Sequence, residues 1–308
     1  MKKKVCIIGF NYSYNVLLQS FNISKKFNVI GIAGKKSRNV TSSNSFKYYT
    51  SWKKMIIELK PEIIAVGIPP KEQEKILPYL LKNKFNFICE KPITNNIKKL
   101  NFFSKLLKKN KSIKLIDLNF ITIPAIQKFK QLLKKEKLSR DTKINIDWYF
   151  KPKSINNKSS WKNSKKNIGG ELNNFFFHLI SVIYFLFGNF KINTIYKKNY
   201  HYNFLFKSRK ISFTVNFFCR SKFNLFKIKF QNKSKLYSLI NKSKDYHNNF
   251  YIYKNKKKIF KKNFPNSKGR IFASKNILDI FLNKNKDLKK YLVFERGLDY
   301  QKKIINLL

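Results

Sequence analysis

IIAVGIPPKEQEKILPYLLKNKFNFICEKPIT, from Ile63 to Thr94, decides the fold. It reads as strand, helix, strand. EIIAVGI, from Glu62, is an apolar, β-rich run, and Pro69-Pro70, which cannot donate to a sheet ladder, closes it. KEQEKILPYLLKN reads as a helix that Pro78 is expected to kink. FNFICE, from Phe85, is the next strand, ended by Lys91-Pro92. The same alternation extends both ways. Upstream lie a strand VCIIGF from Val5, a helix over Asn15 to Phe21, a strand NVIGIAG from Asn28 and a short helix in SWKKMIIELK. Downstream lie an amphipathic helix, Ile97 to Lys108, and a fifth strand, SIKLIDLNF. Apolar strands separated by helices imply a parallel sheet covered on both faces. Right-handed crossovers then give an α/β, Rossmann-like domain over residues 1–118.

The rhythm changes after Asp117. A helix from Ala125 to Lys137 precedes a strand, INIDWYF, and a polar loop runs from Lys151 to Ile168. An apolar helix around His178 follows. Then come short strands rich in Phe, Ile and Tyr: INTIYKK, KISFTVNFFC, LFKIKFQ, KLYSLI and FYIYKNKKKIF. Helices near Ala273–Asn283 and Glu295–Leu308 close the chain. Residues 119–308 are therefore expected to form an α+β domain on an open, mostly antiparallel sheet, with the final helix able to pack back on the first domain. A length of 308 residues suits two domains.

The chain carries 67 Lys+Arg against 15 Asp+Glu, a net charge of +52. Only six of the 67 are arginine, and the lysines are spread evenly among Asn, Ile, Phe and Tyr, the amino acids of A+T-rich codons. The charge therefore reads as coding bias on a solvated surface, and no nucleic-acid motif accompanies it. Three scattered cysteines and three scattered histidines give neither a disulfide framework nor metal-ligand spacing. The longest apolar stretch, Phe175 to Phe187, is well short of the ~20 residues that span a bilayer. No cleavage site follows VCIIGF. A soluble, reduced, cytoplasmic protein without bound metal is expected.

Gly9 ends the first strand, where backbone N–H groups and a helix N-terminus can receive a pyrophosphate. The G-x-G-x-x-G fingerprint is GFNYSY here, with Gly9, Asn11 and Tyr14 at its three marked positions and Tyr12 between them. Asn11 can adopt left-handed backbone, but Tyr14 is expected to crowd the helix–strand approach. Alone, the hexamer reads equally well as a plain strand-to-helix turn. After the second strand comes GKKSRN, with no acid between Asn28 and Thr50. An acid there would hold a ribose 2′-OH, whereas Lys35, Ser37 and Arg38 suit a 2′-phosphate, so NADP(H) is favoured over NAD(H). Glu90 and Lys91, fixed between a strand end and a proline, sit at the carboxyl edge where open α/β sheets bind ligands.

In order, the strand–Gly turn, VGIPP, ICEKP, SWKNSKKNIGGELNNFFFHLI (from Ser160) and LVFERGLDYQKKI (from Leu292) resemble the Gfo/Idh/MocA oxidoreductases, the group of glucose–fructose oxidoreductase and inositol dehydrogenases. The resemblance implies a Rossmann domain, a C-terminal α/β domain with an open sheet, and NAD(P)-dependent chemistry on a sugar or polyol. Pro69, Pro70, Glu90 and Lys91 then belong to the cofactor site, and Lys91 contacts substrate and nicotinamide. His178 matches the histidine of a G-G-x-L-x-D-x-G-x-H pattern and is implied to be the catalytic acid/base. Asn174 stands at that pattern's aspartate and Phe176 at its glycine. Gln73 stands where a histidine often follows the proline pair. Trp161-Lys162 is similar to a Trp-Arg pair placed near the cofactor. The resemblance also makes a dimer or tetramer plausible.

Three functions follow from these residues. The leading one is an NAD(P)-dependent oxidoreductase of a sugar, nucleotide sugar or polyol. The missing glycines and aspartate leave open a catalytically impaired relative that binds nucleotide or sugar without turnover. A basic nucleic-acid binder ranks last.

Overall fold

The computed structural model describes residues 1–34, 45–107, 111–136, 138–152, 161–164, 168–233, 235–262, 264–265 and 268–308. The chain divides into two compact units, one built from Met1–Asn119, Lys166–Ile168 and Arg270–Ile305, the other from Phe120–Lys165, Gly169–Gly269 and Asn306–Leu308.

The first unit holds β1 (Lys3–Ile8), a π-helical turn (Ser13–Leu18) running into α1 (Gln19–Ser24), β2 (Phe27–Ala33), β3 (Lys47–Tyr49), α2 (Trp52–Leu59), β4 (Ile63–Val66), α3 (Pro70–Lys82), β5 (Asn86–Cys89), α4 (Ile97–Leu107) and β6 (Lys114–Ile116). The strand order is β3-β2-β1-β4-β5-β6, all parallel, with the reversal of order between β1 and β4. Val5 to Ile8, Ile63 to Val66, Phe87 to Cys89 and Lys114 to Ile116 are buried without interruption, as a sheet covered on both faces requires. Pro70 occupies the first turn of α3, where its missing N–H costs nothing, and Pro78 stands inside the same continuous helix. Ser51 caps α2 by accepting from Lys54 N at 3.4 Å.

The second unit holds α5 (Pro124–Leu133), β7 (Lys143–Phe150), a π turn (Leu172–Phe176) running into α6 (Phe177–Phe187), and β8 (Lys191–Lys198), β9 (His201–Lys207), β10 (Ser212–Cys219), β11 (Leu225–Asn232), β12 (Lys235–Asn241), β13 (Tyr251–Lys254) and β14 (Lys257–Lys261). These strands form one sheet in the order β14-β13-β12-β11-β7-β10-β9-β8. Only β7 and β10 run parallel. Every residue of α6 is buried. Trp148 anchors the core under it, with ring contacts to Phe120, Phe150, Phe217, Phe226 and Tyr246. Along β7, β10 and β11 burial alternates, so the opposite face is left uncovered within the unit.

The chain then returns to the first unit as α7 (Gly269–Leu278), a 3-10 turn (Asp279–Leu282), α8 (Lys286–Leu292) and α9 (Phe294–Ile305). α9 packs on α4 and β6. FYIYKNKKKIF, expected as one strand, is the β13–β14 hairpin, because Asn255 and Lys256 both take positive φ and reverse the chain. The helix expected to reach Lys137 ends at Leu133. Among the described residues, no helix is long and apolar enough to cross a membrane.

Candidate functional site

Because the first sheet is parallel, the residues that follow β1, β4, β5 and β6 gather at one carboxyl edge. Gly9 follows β1 with φ +118°. A Cβ there would lie 2.5 Å from Gly67 O and 2.8 Å from Ser13 Oγ, so only glycine fits. Asn11 adopts φ +37°, the left-handed backbone its short polar side chain tolerates. Ser13 N donates to Phe10 O at 2.8 Å and closes the turn.

Tyr14 does not crowd the approach of helix to strand. Ser13 takes the close position instead. It is fully buried, with Oγ 3.1 Å from Gly67 O and 3.2 Å from Ile8 O. The helix opens with π-helical Ser13–Leu18, a wider turn than the α-helix, and Tyr14 stays half-buried. The edge therefore fits a dinucleotide pyrophosphate: Gly67 O and the Ser13 and Ile68 side chains leave no room for a Cβ on Gly9, and a helix starts immediately after the turn.

Tyr12 turns inward along this edge. Its hydroxyl donates to Asp117 Oδ2 at 2.5 Å. Ser274 Oγ, on α7, donates to the same oxygen at 3.1 Å, and Asn119 Nδ2 lies 3.5 Å from the Tyr12 hydroxyl. The Arg270 guanidinium lies over the Tyr12 ring, 5.6 Å from its centroid. Asp117 is only 1% exposed. Burial, and next the Glu90 charge, push its carboxyl up to about 7, against the downward pull of the Tyr12 and Ser274 hydrogen bonds and of Arg270. Burial and the neighbouring Asp117 likewise raise the Tyr12 phenol.

The sequence singled out Tyr12 but not Asp117, Ser274 and Arg270, which the structure brings to it. The available signal was an acid placed in an apolar strand of a chain with only 15 acids. The partners on α7 lie more than 150 positions away and left none.

Pro69 and Pro70 turn the chain from β4 into α3 at the same edge. Glu90 and Lys91 follow β5, and Glu90 Oε2 accepts from Lys91 N at 3.1 Å. The loop behind Lys91 is held from two sides. Gln73 Nε2 donates to Pro92 O at 3.3 Å, and Gln301 Oε1 on α9 accepts from Ile93 N at 3.0 Å. Both glutamines are fully buried. Gln301 gives the closing helix a definite task, to fix the segment that carries Lys91.

In the second unit, Trp161 and Lys162 open a 3-10 turn, Trp161–Asn163. Its carbonyls are drawn onto the segment that follows. Gly169 N donates to Ser164 O and Gly170 N to Lys162 O, each at 2.8 Å. Asn174 Nδ2 donates to Lys162 O at 3.1 Å and to Gly170 O at 2.9 Å. The Asn174 amide is thus engaged with main chain. Phe176 is core, its ring 4.5 Å from Phe204 and 5.3 Å from Phe217. His178 is 6% exposed and stacks on Phe120 with centroids 4.5 Å apart. His247, unanticipated, meets the same ring edge-on at 5.3 Å. Lys35, Ser37 and Arg38 lie outside the described residues. Among those described, no group of three or more His, Cys, Asp or Glu could hold a metal ion.

Residues 3–117 match the GFO_IDH_MocA model, described as an oxidoreductase family with an NAD-binding Rossmann fold. No curated protein matches the chain in sequence. Among solved structures, it is similar to levoglucosan dehydrogenase in complex with NADH and levoglucosan, at 11% identity and a TM-score of 0.77, covering 99% of this chain and 97% of that one. An oxidoreductase from Thermotoga maritima matches at 15% identity and 0.78, over 100% and 94% of the two chains. D-galactose-1-dehydrogenase from Rhizobium etli matches at 12% and 0.71, over 91% and 89%. At such identities these likenesses show the fold. The family match covers the domain that carries the glycine turn and the Glu90-Lys91-Pro92 edge, so residues 3–117 match the Gfo/Idh/MocA oxidoreductase family with its NAD-binding Rossmann fold, and the chain as a whole shares the fold of these dehydrogenases.

Proposed function

We propose that the protein is an NAD(P)-dependent oxidoreductase that transfers hydride to or from a sugar, nucleotide sugar or polyol, with NADP(H) favoured. The observation that carries this reading is the Gly9–Asn11 turn, closed by Ser13 and set at the carboxyl edge beside Pro69, Pro70, Glu90 and Lys91. The sugar dehydrogenases among the similar structures support a carbohydrate substrate. The NADP(H) preference rests on Lys35, Ser37 and Arg38 in a segment without an acid. When bound, the nicotinamide supplies the hydride chemistry. Gly9, Asn11 and Tyr12 form the turn that would hold its phosphates, and the Arg270 cation lies over the Tyr12 ring. In this reading the Lys91 ammonium orients the substrate oxygen and stabilises negative charge on it. His178 holds or releases the hydroxyl proton at a ring nitrogen. Trp161 and Lys162 contribute to the cofactor site, and Asn174 fixes their turn rather than moving a proton.

A second reading, a relative that binds without turnover, draws on Asn174 and Phe176. One is bound to main-chain carbonyls and the other packed in the core, at the positions of the family's aspartate and glycine. Steady-state turnover with NADP(H) and a panel of sugars, nucleotide sugars and polyols separates the two. Oxidoreductase activity should fall ~10²–10⁴-fold in Lys91→Ala and in His178→Ala. Cofactor binding without turnover of any substrate supports the second reading.

Pairing between copies of the chain is proposed on the uncovered sheet face. That face carries Tyr149, Phe218 and the exposed Tyr196 and Phe223 around an Asp147–Asn216–Asn203 hydrogen-bond ladder. Light scattering on the eluting protein tests it, and a monomer at all concentrations would remove the idea.

A further inference from the structure

Tyr12 belongs to the turn after β1, whereas Asp117 follows β6, and β4 and β5 lie between those strands in the sheet. The phenol therefore reaches along the carboxyl edge, past the ends of β4 and β5, to meet the carboxylate at 2.5 Å. In a dinucleotide fold the residue that reads the adenosine ribose follows β2. A nicotinamide half would then fall on the other side of the switch point, the side of β4, β5 and β6, where Asp117 lies. In a chain of net charge +52, a buried carboxyl at this position has a local environment of its own. Tyr12 faces it from the turn, Cys89 and Glu90 from the end of β5, and Ser274 and Arg270 from α7, while Asn119 reaches the Tyr12 hydroxyl.

We propose that Asp117, with Tyr12 as its hydrogen-bond donor, is the charge-selecting residue of the dinucleotide site: ionised, it favours the oxidised nicotinamide, whose ring is cationic, over the reduced one, whose ring is neutral. This rests on the dinucleotide reading given above. An opposite charge stabilises a carboxylate, and it does so more strongly away from bulk water. Linkage makes the effect reciprocal, so oxidised cofactor drives the proton from Asp117 whereas reduced cofactor does not. With the carboxyl near 7 in the free protein, the effect falls in the neutral range.

The test is calorimetric titration of the intact protein with NADP⁺ and with NADPH at about pH 6 and about pH 8, in buffers of different ionisation enthalpy. For the wild type, the ratio of oxidised to reduced affinity should rise roughly fivefold between the two, with proton release only on binding NADP⁺. Asp117→Asn should flatten both. Tyr12→Phe removes a donor that favours the ionised form, so it should move the midpoint to higher pH. A flat ratio in the wild type, or a pH dependence that survives Asp117→Asn, overturns the assignment. If Asp117→Asn does not fold, an unmoved midpoint in Tyr12→Phe overturns it equally. If neither form binds folded wild-type protein, the dinucleotide reading itself fails and takes this proposal with it.

Discussion

Asn174 shows why an amide and a carboxylate are not interchangeable even where a sequence pattern equates them. Its Nδ2 donates to two carbonyls, Lys162 O and Gly170 O. A carboxylate oxygen in that place would face both acceptors with nothing to donate. Asn174→Asp should therefore destabilise the protein by roughly 1–3 kcal/mol at neutral pH. The two carbonyls would raise the new carboxyl's folded pKa, so the loss should shrink as pH falls toward that value and the group regains a proton. Urea denaturation across pH checks this, and an unchanged midpoint would show that the carbonyls find other donors. Asp117 titrates with the same sign. Its native carboxyl stays protonated up to about 7, whereas an unfolded chain loses that proton around the ordinary aspartate value of 3.8. The native state binds the extra proton between those values, so this residue lowers stability as pH rises through that window. Asp117→Asn should flatten the profile there and leave the variant more stable at neutral pH by more than about 1 kcal/mol. Of these two residues, the sequence marked only Asn174, through a pattern. The bonds that define its task could not be read, because a side chain's partners depend on where the turn at Trp161–Asn163 is laid down.

At the scale of elements, the alternating apolar runs of the first unit were legible because a fully buried parallel strand needs an unbroken apolar run. The three-residue β3 and the short α8 were too brief to stand out. β9 escaped for a different reason. The turn before it, Asn199–Tyr200, has both residues at positive φ, and Asn255–Lys256 repeats the arrangement before β14. Hairpin turns of that kind usually announce themselves by glycine. This chain has only nine glycines, and among the described residues it places Asn, Lys and even Tyr at left-handed positions instead. The turn at Trp161–Asn163 is the opposite case, where glycine is indispensable. A Cβ on Gly169 would lie 2.3 Å from Trp161 O and 2.7 Å from both Lys162 O and Ser164 O. Gly169→Ala must push the turn away, at a cost of roughly 1–3 kcal/mol. Thermal unfolding measures the cost, and a wild-type melting temperature would show that the turn shifts freely.

For the whole molecule, composition points one way and architecture another. A charge of +52 suggests a polyanionic partner, yet the described residues resolve into a Rossmann sheet and an open eight-stranded sheet, each with its own core. The charge still has a use, since it raises the encounter rate with an anionic ligand such as a dinucleotide phosphate. Lys35, Ser37 and Arg38 are proposed to add a preference to that attraction: NADP(H) should bind more tightly than NAD(H), and Arg38→Glu should weaken NADP(H) selectively. Paired titrations with both cofactors check this, and equal affinities would remove the preference.

A nicotinamide dinucleotide is proposed to bind at the carboxyl edge around Gly9. Calorimetric titration of NADPH into the intact wild-type protein, beside a Gly9→Ala variant of unchanged circular dichroism, tests it most directly. The wild type should bind saturably. Affinity should weaken by about tenfold or more in Gly9→Ala, because the added Cβ collides with Gly67 O and Ser13 Oγ at a backbone of φ +118°. Folded wild-type protein that binds neither NADP(H) nor NAD(H), or a folded Gly9→Ala variant that binds as tightly as the wild type, would contradict it.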